Sequence, residues 1–315
     1  LLACLALVAS ARAEEPAAPA EQPAPAEASV AAPADPAALE AARIEKYDRF
    51  KALVAESRYA DAVPLAREVV SLTAALDADH EDLSTAWNNL GVAQLRADDP
   101  GGALESFRKA LDLVESTQGI GSRRLIAPMA GLGAAYSALG EPAQAAAEFE
   151  RAVAVSRRTS GLFNMEQLDL MDALIRAYAA TGFDEGVDRE RGYALRVVEK
   201  RFGYGDPRTL PRVTALAEWY EATGRYAAAR LLYKRALDIA SRESGGRNAS
   251  TIDALLAVAR THRLQFAEDP ESLIEQQDTM PQYAESIGGS AVSRVRTTAS
   301  TAAIQPQSRV KIDPE

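Results

Sequence analysis

The side chains in this chain that could hold a metal or move a proton together are few. Asp77, Asp79, His80 and Asp82 share one short stretch, and the second histidine, His262, lies far downstream. Three carboxylates around a histidine have the composition of a cation loop. A calcium loop counted from Asp77 requires glycine at its sixth place and glutamate at its twelfth, and those places hold Asp82 and Asn88. Capping of the following helix accounts for the cluster better, because carboxylates are favoured where unpaired backbone N–H groups point out of a helix start. There is no G-x-S-x-G elbow, no G-x-x-x-x-G-K-[ST] phosphate loop and no H-E-x-x-H pair, and the single cysteine, Cys4, has no partner. Neither catalysis, a metal nor a cofactor is expected, and both histidines read as structural.

The elements that would have to position any site are helical. Trp87, Leu90, Gly91 and Gln94 recur three or four residues apart on one face of a helix, and Ala103, Phe107, Ala110 and Leu111 do so on the next, across the polar turn Asp98-Asp99-Pro100-Gly101-Gly102. Each face is too narrow to make a core alone. The pattern then returns at steps of 42 residues: Leu90-Gly91 is followed by Leu132-Gly133, Leu174-Ile175, Leu216-Ala217 and Val258-Ala259, and Gln94 by Tyr136, Tyr178, Tyr220 and His262. Ala110 is followed by Ala152, Ala194 and Ala236, and Phe107 by Phe149, Arg191 and Tyr233. A backward step of 41 reaches Phe50, with Ala62, Ala66 and Val69 on the paired helix.

The W-x2-L-G-x2-Y and A-x3-F spacing of residues 87–111 resembles the tetratricopeptide repeat, with Gln94 where tyrosine is usual. The period exceeds the 34 residues usual in that family. The additional length lies in joints such as Ser160-Gly161-Leu162-Phe163-Asn164 and Gly203-Tyr204-Gly205-Asp206-Pro207, which is similar to the kinesin-light-chain form of the repeat. The resemblance implies an all-α fold, an α-solenoid in which antiparallel helix pairs form a right-handed superhelix, with about five and a half repeats over residues 40–266. Alanine at the repeated buried positions suits close helix approach. Repeat four departs from the pattern, with Val187 and Arg191 at packing positions and Gly186 and Gly192 in its second helix. This reads either as tolerated irregularity or as a point where the superhelix could bend.

The resemblance also implies where a ligand would lie. In the family the first helix of each repeat lines the concave groove. Carried onto this chain residue by residue, that places Tyr47 and Lys51 in repeat one, Asn88 and Arg96 in repeat two, and Ala130, Ala134 and Ser137 in repeat three. Asp172 and Arg176 follow, then Thr214, Glu218 and Glu221, and finally Arg260 and Arg263. Asn88 offers a donor and an acceptor, which suits the backbone of an extended peptide. The rows of arginine and carboxylate suit a ligand of mixed charge.

The flanks differ in composition. Residues 1–10 are an apolar run, and Ala11-Arg12-Ala13 completes the small-residue pattern of a signal-peptide cleavage site, so residues 1–13 are expected to be the remainder of a secretory signal removed after Ala13. A lipid-anchored Cys4 is the rival, disfavoured because apolar residues continue past it. Residues 14–39, rich in alanine and proline, read as a linker, residues 267–287 as a capping segment and 288–315 as a disordered tail. The end, Ser308-Arg309-Val310-Lys311-Ile312-Asp313-Pro314-Glu315, faintly resembles the start of the C-terminal domain of TonB energy transducers, which implies as an alternative that the array is one module of a larger envelope protein. A formal net charge of -10 offers no basic field for nucleic acid, and no run after Ser10 is long enough to span a membrane. The expectation is a non-enzymatic scaffold of the bacterial periplasm that binds a protein or extended peptide.

Overall fold

A computed structural model of the chain describes residues 35–76, 80–244 and 249–268. Among the described residues there is no β-strand; helices pair in order along the chain. The pairs are α1 (Pro36–Ala55) with α2 (Tyr59–Ala75), α3 (His80–Arg96) with α4 (Pro100–Gln118), and α5 (Ile126–Ala138) with α6 (Pro142–Ser160). They continue as α7 (Leu168–Thr181) with α8 (Asp184–Phe202) and α9 (Leu210–Ala222) with α10 (Tyr226–Ser244), and α11 (Ala249–Glu268) opens a sixth repeat. The array starts earlier than position 40, because Asp35 caps α1 by accepting from the Ala37 N–H at 3.1 Å, and Pro36 suits the first turn by its fixed φ. The signal segment, most of the linker, the tail and nearly all of the capping segment lie outside the described residues, as do Asp77, Asp79 and the side chain of His80.

The 42-residue spacing reappears as local geometry. Each turn inside a helix pair passes through the left-handed region, at Ser57 and Asp98 (φ 59° and 64°) and then at Gly140, Gly182 and Gly224 (φ 74°, 72° and 74°). Glycine reaches that region without a Cβ penalty, whereas other residues enter it at a cost. Each later joint between pairs is a single 3-10 turn, at Arg123–Leu125, Met165–Gln167 and Pro207–Thr209. Ser122, Asn164 and Asp206 cap these turns, their side chains accepting from Arg124, Gln167 and Arg208 N–H at 3.2, 3.0 and 2.9 Å. These short turns, rather than longer helices alone, take up the extra residues of the period.

Packing explains the Leu-Gly pair. A Cβ on Gly91 would stand 2.7 Å from the Phe107 ring, and one on Gly133 2.8 Å from Phe149, so the first helix presses directly on the aromatic of the second. Ala103, Ala145, Val187 and Ala229 occupy one repeated position, and all are fully buried. Repeat four is intact: α8 is continuous and Val187 is sealed in its core. Arg191, in the aromatic position, lies 5.8 Å from the Trp219 ring centroid and donates to the Ala215 carbonyl at 3.2 Å. Its Nε is buried with no hydrogen-bond partner among the described residues.

In the middle of the array first helices of neighbouring repeats touch one another, α3 with α5 and α5 with α7, whereas second helices stay further apart. A stack whose first helices are crowded and second helices splayed must curve toward the first helices, which therefore form the concave face.

Candidate ligand groove

At two joints on the concave face a cleft opens between two first helices, floored by the second helix between them. The cleft between α3 and α5 holds about 220 Å³ and is lined by Thr85, Asn88, Ala110 and Pro128 among others. Three periods onward, the cleft between α9 and α11 is lined by the equivalent residues Pro211, Thr214, Ala236 and Ala254, and holds about 560 Å³. Repetition of the sequence thus produces repetition of the cleft, wider where α9 and α11 approach less closely than α3 and α5.

The two joints between them are filled. At the joint of repeats three and four the positions of Asn88 and Pro128 are taken by Ala130 and Leu170, and Leu170 packs against core residues of both repeats. At the next joint they are Asp172 and Arg212, which form a two-point ion pair, the Nη2 to Oδ2 bond measuring 2.9 Å. A guanidinium and a carboxylate matched in this way close the cleft.

The groove residues expected from the sequence fall into two groups. Those tied up internally are Asp172 with Arg212, Glu221 with Arg260, and Lys51 with Asp48 at 2.8 Å. Arg260 Nη2 donates to Glu221 Oε2 at 2.9 Å, and the Tyr233 hydroxyl donates to the same oxygen at 2.8 Å. The Arg260 guanidinium holds the Glu221 carboxyl below the usual carboxylate range. Burial, reinforced by that carboxylate, pushes the Tyr233 hydroxyl up. Tyr47 stacks on Phe50 with ring centroids 6.0 Å apart, and Lys51 Nζ lies 5.0 Å from the Tyr47 ring centre. These acid and arginine rows bind the repeats to each other before they can select a ligand's charge.

The other group faces solvent or an open cleft. Arg96, Arg176, Glu218 and Arg263 are exposed, and Arg176 and Glu218 make no hydrogen bond or ion pair among the described residues. Asn88 is different: its Oδ1 is buried at the α3–α5 cleft and has no hydrogen-bond partner among the described residues. Three residues that shape the clefts were not singled out from sequence, namely Arg212, Asp253 and Leu256. The 42-residue step could have found them, since Pro128 leads to Arg212, Thr85 to Asp253 and Asn88 to Leu256 at whole periods.

His262 is partly buried, and burial together with the positive Arg230 and Lys234 moves its pKa down. Among the described residues no group of three or more His, Cys, Asp or Glu side chains could hold a metal ion, and no helix is long and apolar enough to cross a membrane.

Comparison with known proteins agrees with this geometry. Two family models described as tetratricopeptide repeat match the chain, one over residues 51–116 and 195–274 and one over 129–164. A solved structure of nearly identical TPR-like repeats from a Podosopora anserina putative kinesin light chain has a TM-score of 0.56 at 21% identity, covering 68% of this chain and 100% of its own. A variant form of that protein gives 0.55 at 21% identity, with 66% and 97% covered. No curated protein matches the sequence. Repeats of this kind are generally non-catalytic scaffolds that commonly bind proteins or peptides. By its repeated pattern, its helix pairing and its family matches, the chain belongs to the tetratricopeptide repeat family.

Proposed function

We propose that this protein is a non-enzymatic scaffold of the bacterial cell envelope that holds an extended peptide segment of a partner protein along its concave groove. The observation that carries this reading is Asn88. A buried carbonyl oxygen that lacks a donor among the described residues costs about 1–3 kcal/mol, and the side chain lines an open cleft into which it can turn to meet the backbone N–H of a passing strand. The Asn88 amide would accept from and donate to main-chain groups, so recognition at that point would not depend on ligand side chains. Arg176, exposed and unpaired among the described residues, supplies a cation on the groove row of α7.

Envelope localisation rests on the apolar residues 1–10 with Ala11-Arg12-Ala13 and on the alanine and proline spacer after them. Fractionation of the source bacterium carrying a tag on its own gene should recover the protein in the periplasm with Glu14 as its first residue. A cytoplasmic protein that keeps residues 1–13 would remove the envelope part of the proposal.

The binding part is tested by affinity capture from an envelope extract with the full chain, beside an Asn88→Ala/Arg176→Ala form. The expected result is a partner lost in the double variant while the melting temperature is unchanged. Equal capture by both forms would move recognition off the groove.

A further inference from the structure

We propose that the cleft between α9 and α11 is a binding pocket for a basic side chain, lysine or arginine, presented by an extended polypeptide. This deepens the groove reading above and rests on it.

At about 560 Å³ the cleft is far larger than the space one such side chain fills, and it is open along the groove. Its apolar lining is alanine, Ala236 on the floor from α10 and Ala254 and Ala257 at the foot of the α11 wall, all buried, with Leu210 at one end. Floors of this kind accept the methylene stem of a long cationic side chain, which lies along apolar surface while its head stays among polar groups. The walls supply the polar groups. Glu218 comes from α9 and Asp253 from α11; both are exposed, and neither makes a hydrogen bond or ion pair among the described residues.

The neighbouring cations do not cancel these two carboxylates. Arg260, at the cleft wall, is bound to Glu221. Arg191 attracts Glu218 over a longer range, but its guanidinium is half-buried between Trp219 and the Ala215 carbonyl. Arg212 is held by Asp172. What a ligand meets is an apolar floor with one free carboxylate on each wall. The α3–α5 cleft has Asn88 and Ala127 at the positions of Thr214 and Asp253 and no free carboxylate in its lining, so the two clefts differ in charge as well as size.

The test uses the full chain and three fluorescein-labelled extended peptides that alternate alanine with lysine, with glutamate or with threonine, read by fluorescence anisotropy. The lysine peptide is expected to bind about tenfold tighter than the threonine peptide, and the glutamate peptide more weakly than either. Glu218→Lys/Asp253→Lys should erase that preference. Glu105→Lys/Asp112→Lys, on exposed positions of α4, makes the same change in net charge and should leave it intact. Circular dichroism checks that both variants fold.

If both variants lose the preference equally, only the general acidity of the protein attracts the peptide and the pocket is refuted. If the three peptides bind alike and Asn88→Ala weakens them all, the pocket assignment falls and the groove reading stands. If none binds, both fall.

Discussion

The α3–α5 and α9–α11 clefts are built from the same positions of the repeat, and they are not alike. At α3–α5 the lining is narrow and its key feature is a neutral amide, Asn88; at α9–α11 it is wide, floored with alanine and walled by Glu218 and Asp253. Between them Leu170 and the Asp172–Arg212 pair fill the equivalent sites. A repeat scaffold therefore sets where clefts can occur, and two side chains per joint decide whether each one is open, filled or charged. The same division shows elsewhere. Non-glycine residues take the left-handed turn position in the first two repeats and glycine in the next three.

The largest effect that would sharpen this contrast is in packing. Ala152 lies in the closed middle, whereas Ala236 borders the wide cleft. Ala152→Leu should cost about 1–3 kcal/mol by overpacking, and Ala236→Leu distinctly less because its new methyl groups can extend into open space. Equal losses in chemical denaturation would mean that the cleft is not available volume.

Next comes the filled joint. Asp172→Ala leaves Arg212 partly buried and unpaired and should cost about 1–2 kcal/mol, less than at a fully buried pair because the two side chains retain 35% and 23% exposure. Asp172→Ala/Arg212→Ala should recover part of that loss. Conversely, Thr214→Asp/Ala254→Arg would carry the pair into the α9–α11 cleft and should lower peptide binding there about tenfold in anisotropy.

A smaller effect separates the turns. Gly182→Ala forces a Cβ into φ 72° and should destabilise by about 1 kcal/mol, while Asp98→Gly, at φ 64°, should change stability by less than that and with the opposite sign. Paired thermal melts decide whether the early turns are strained relative to the later ones.

The smallest effect is in acid. Hydrogen bonds from Arg225, and secondarily from Trp219, hold Asp188 below its ordinary value of 3.8, and Arg260 holds Glu221 below its ordinary 4.5. Carboxyls depressed in the folded state stabilise it above their unfolded values and lose that contribution as pH falls through the folded ones. Glu40 and Glu105 in the early repeats are also lowered, but those pairs lie at the surface and are screened by solvent, whereas Asp188 and Glu221 are partly buried, so the late repeats should loosen first as pH drops below about 4. The two tryptophans report each half: Trp219 donates to Asp188 at 2.7 Å, and Trp87 lies beneath Lys109 in repeat two. With Trp87→Phe and Trp219→Phe used singly, the emission of Trp219 should shift at a higher pH than that of Trp87; coincident shifts would mean that the array responds as one unit.

The helices and their period were legible in the sequence because both are local. Apolar positions spaced to one helical face, glycine where a first helix meets Phe107 or Phe149, and alanine at each buried step follow from helix geometry and side-chain volume alone. The start of α1 at Pro36 was missed because alanine and proline composition reads as linker, although Asp35 ahead of Pro36 is a cap signal.

The site was legible only as rows of candidates. Asn88 and Glu218 line clefts and Arg176 is exposed, but the partners of Asp172 and Glu221 lie 40 and 39 residues further on, in the next repeat. Whether such side chains meet depends on how far one helix pair rotates against the next and on which rotamers the packing leaves free, quantities that helical periodicity does not contain. Sequence thus determined that a groove of repeating positions was to be expected. The tertiary structure alone decided which were open, because opening is a property of two repeats in contact rather than of either one.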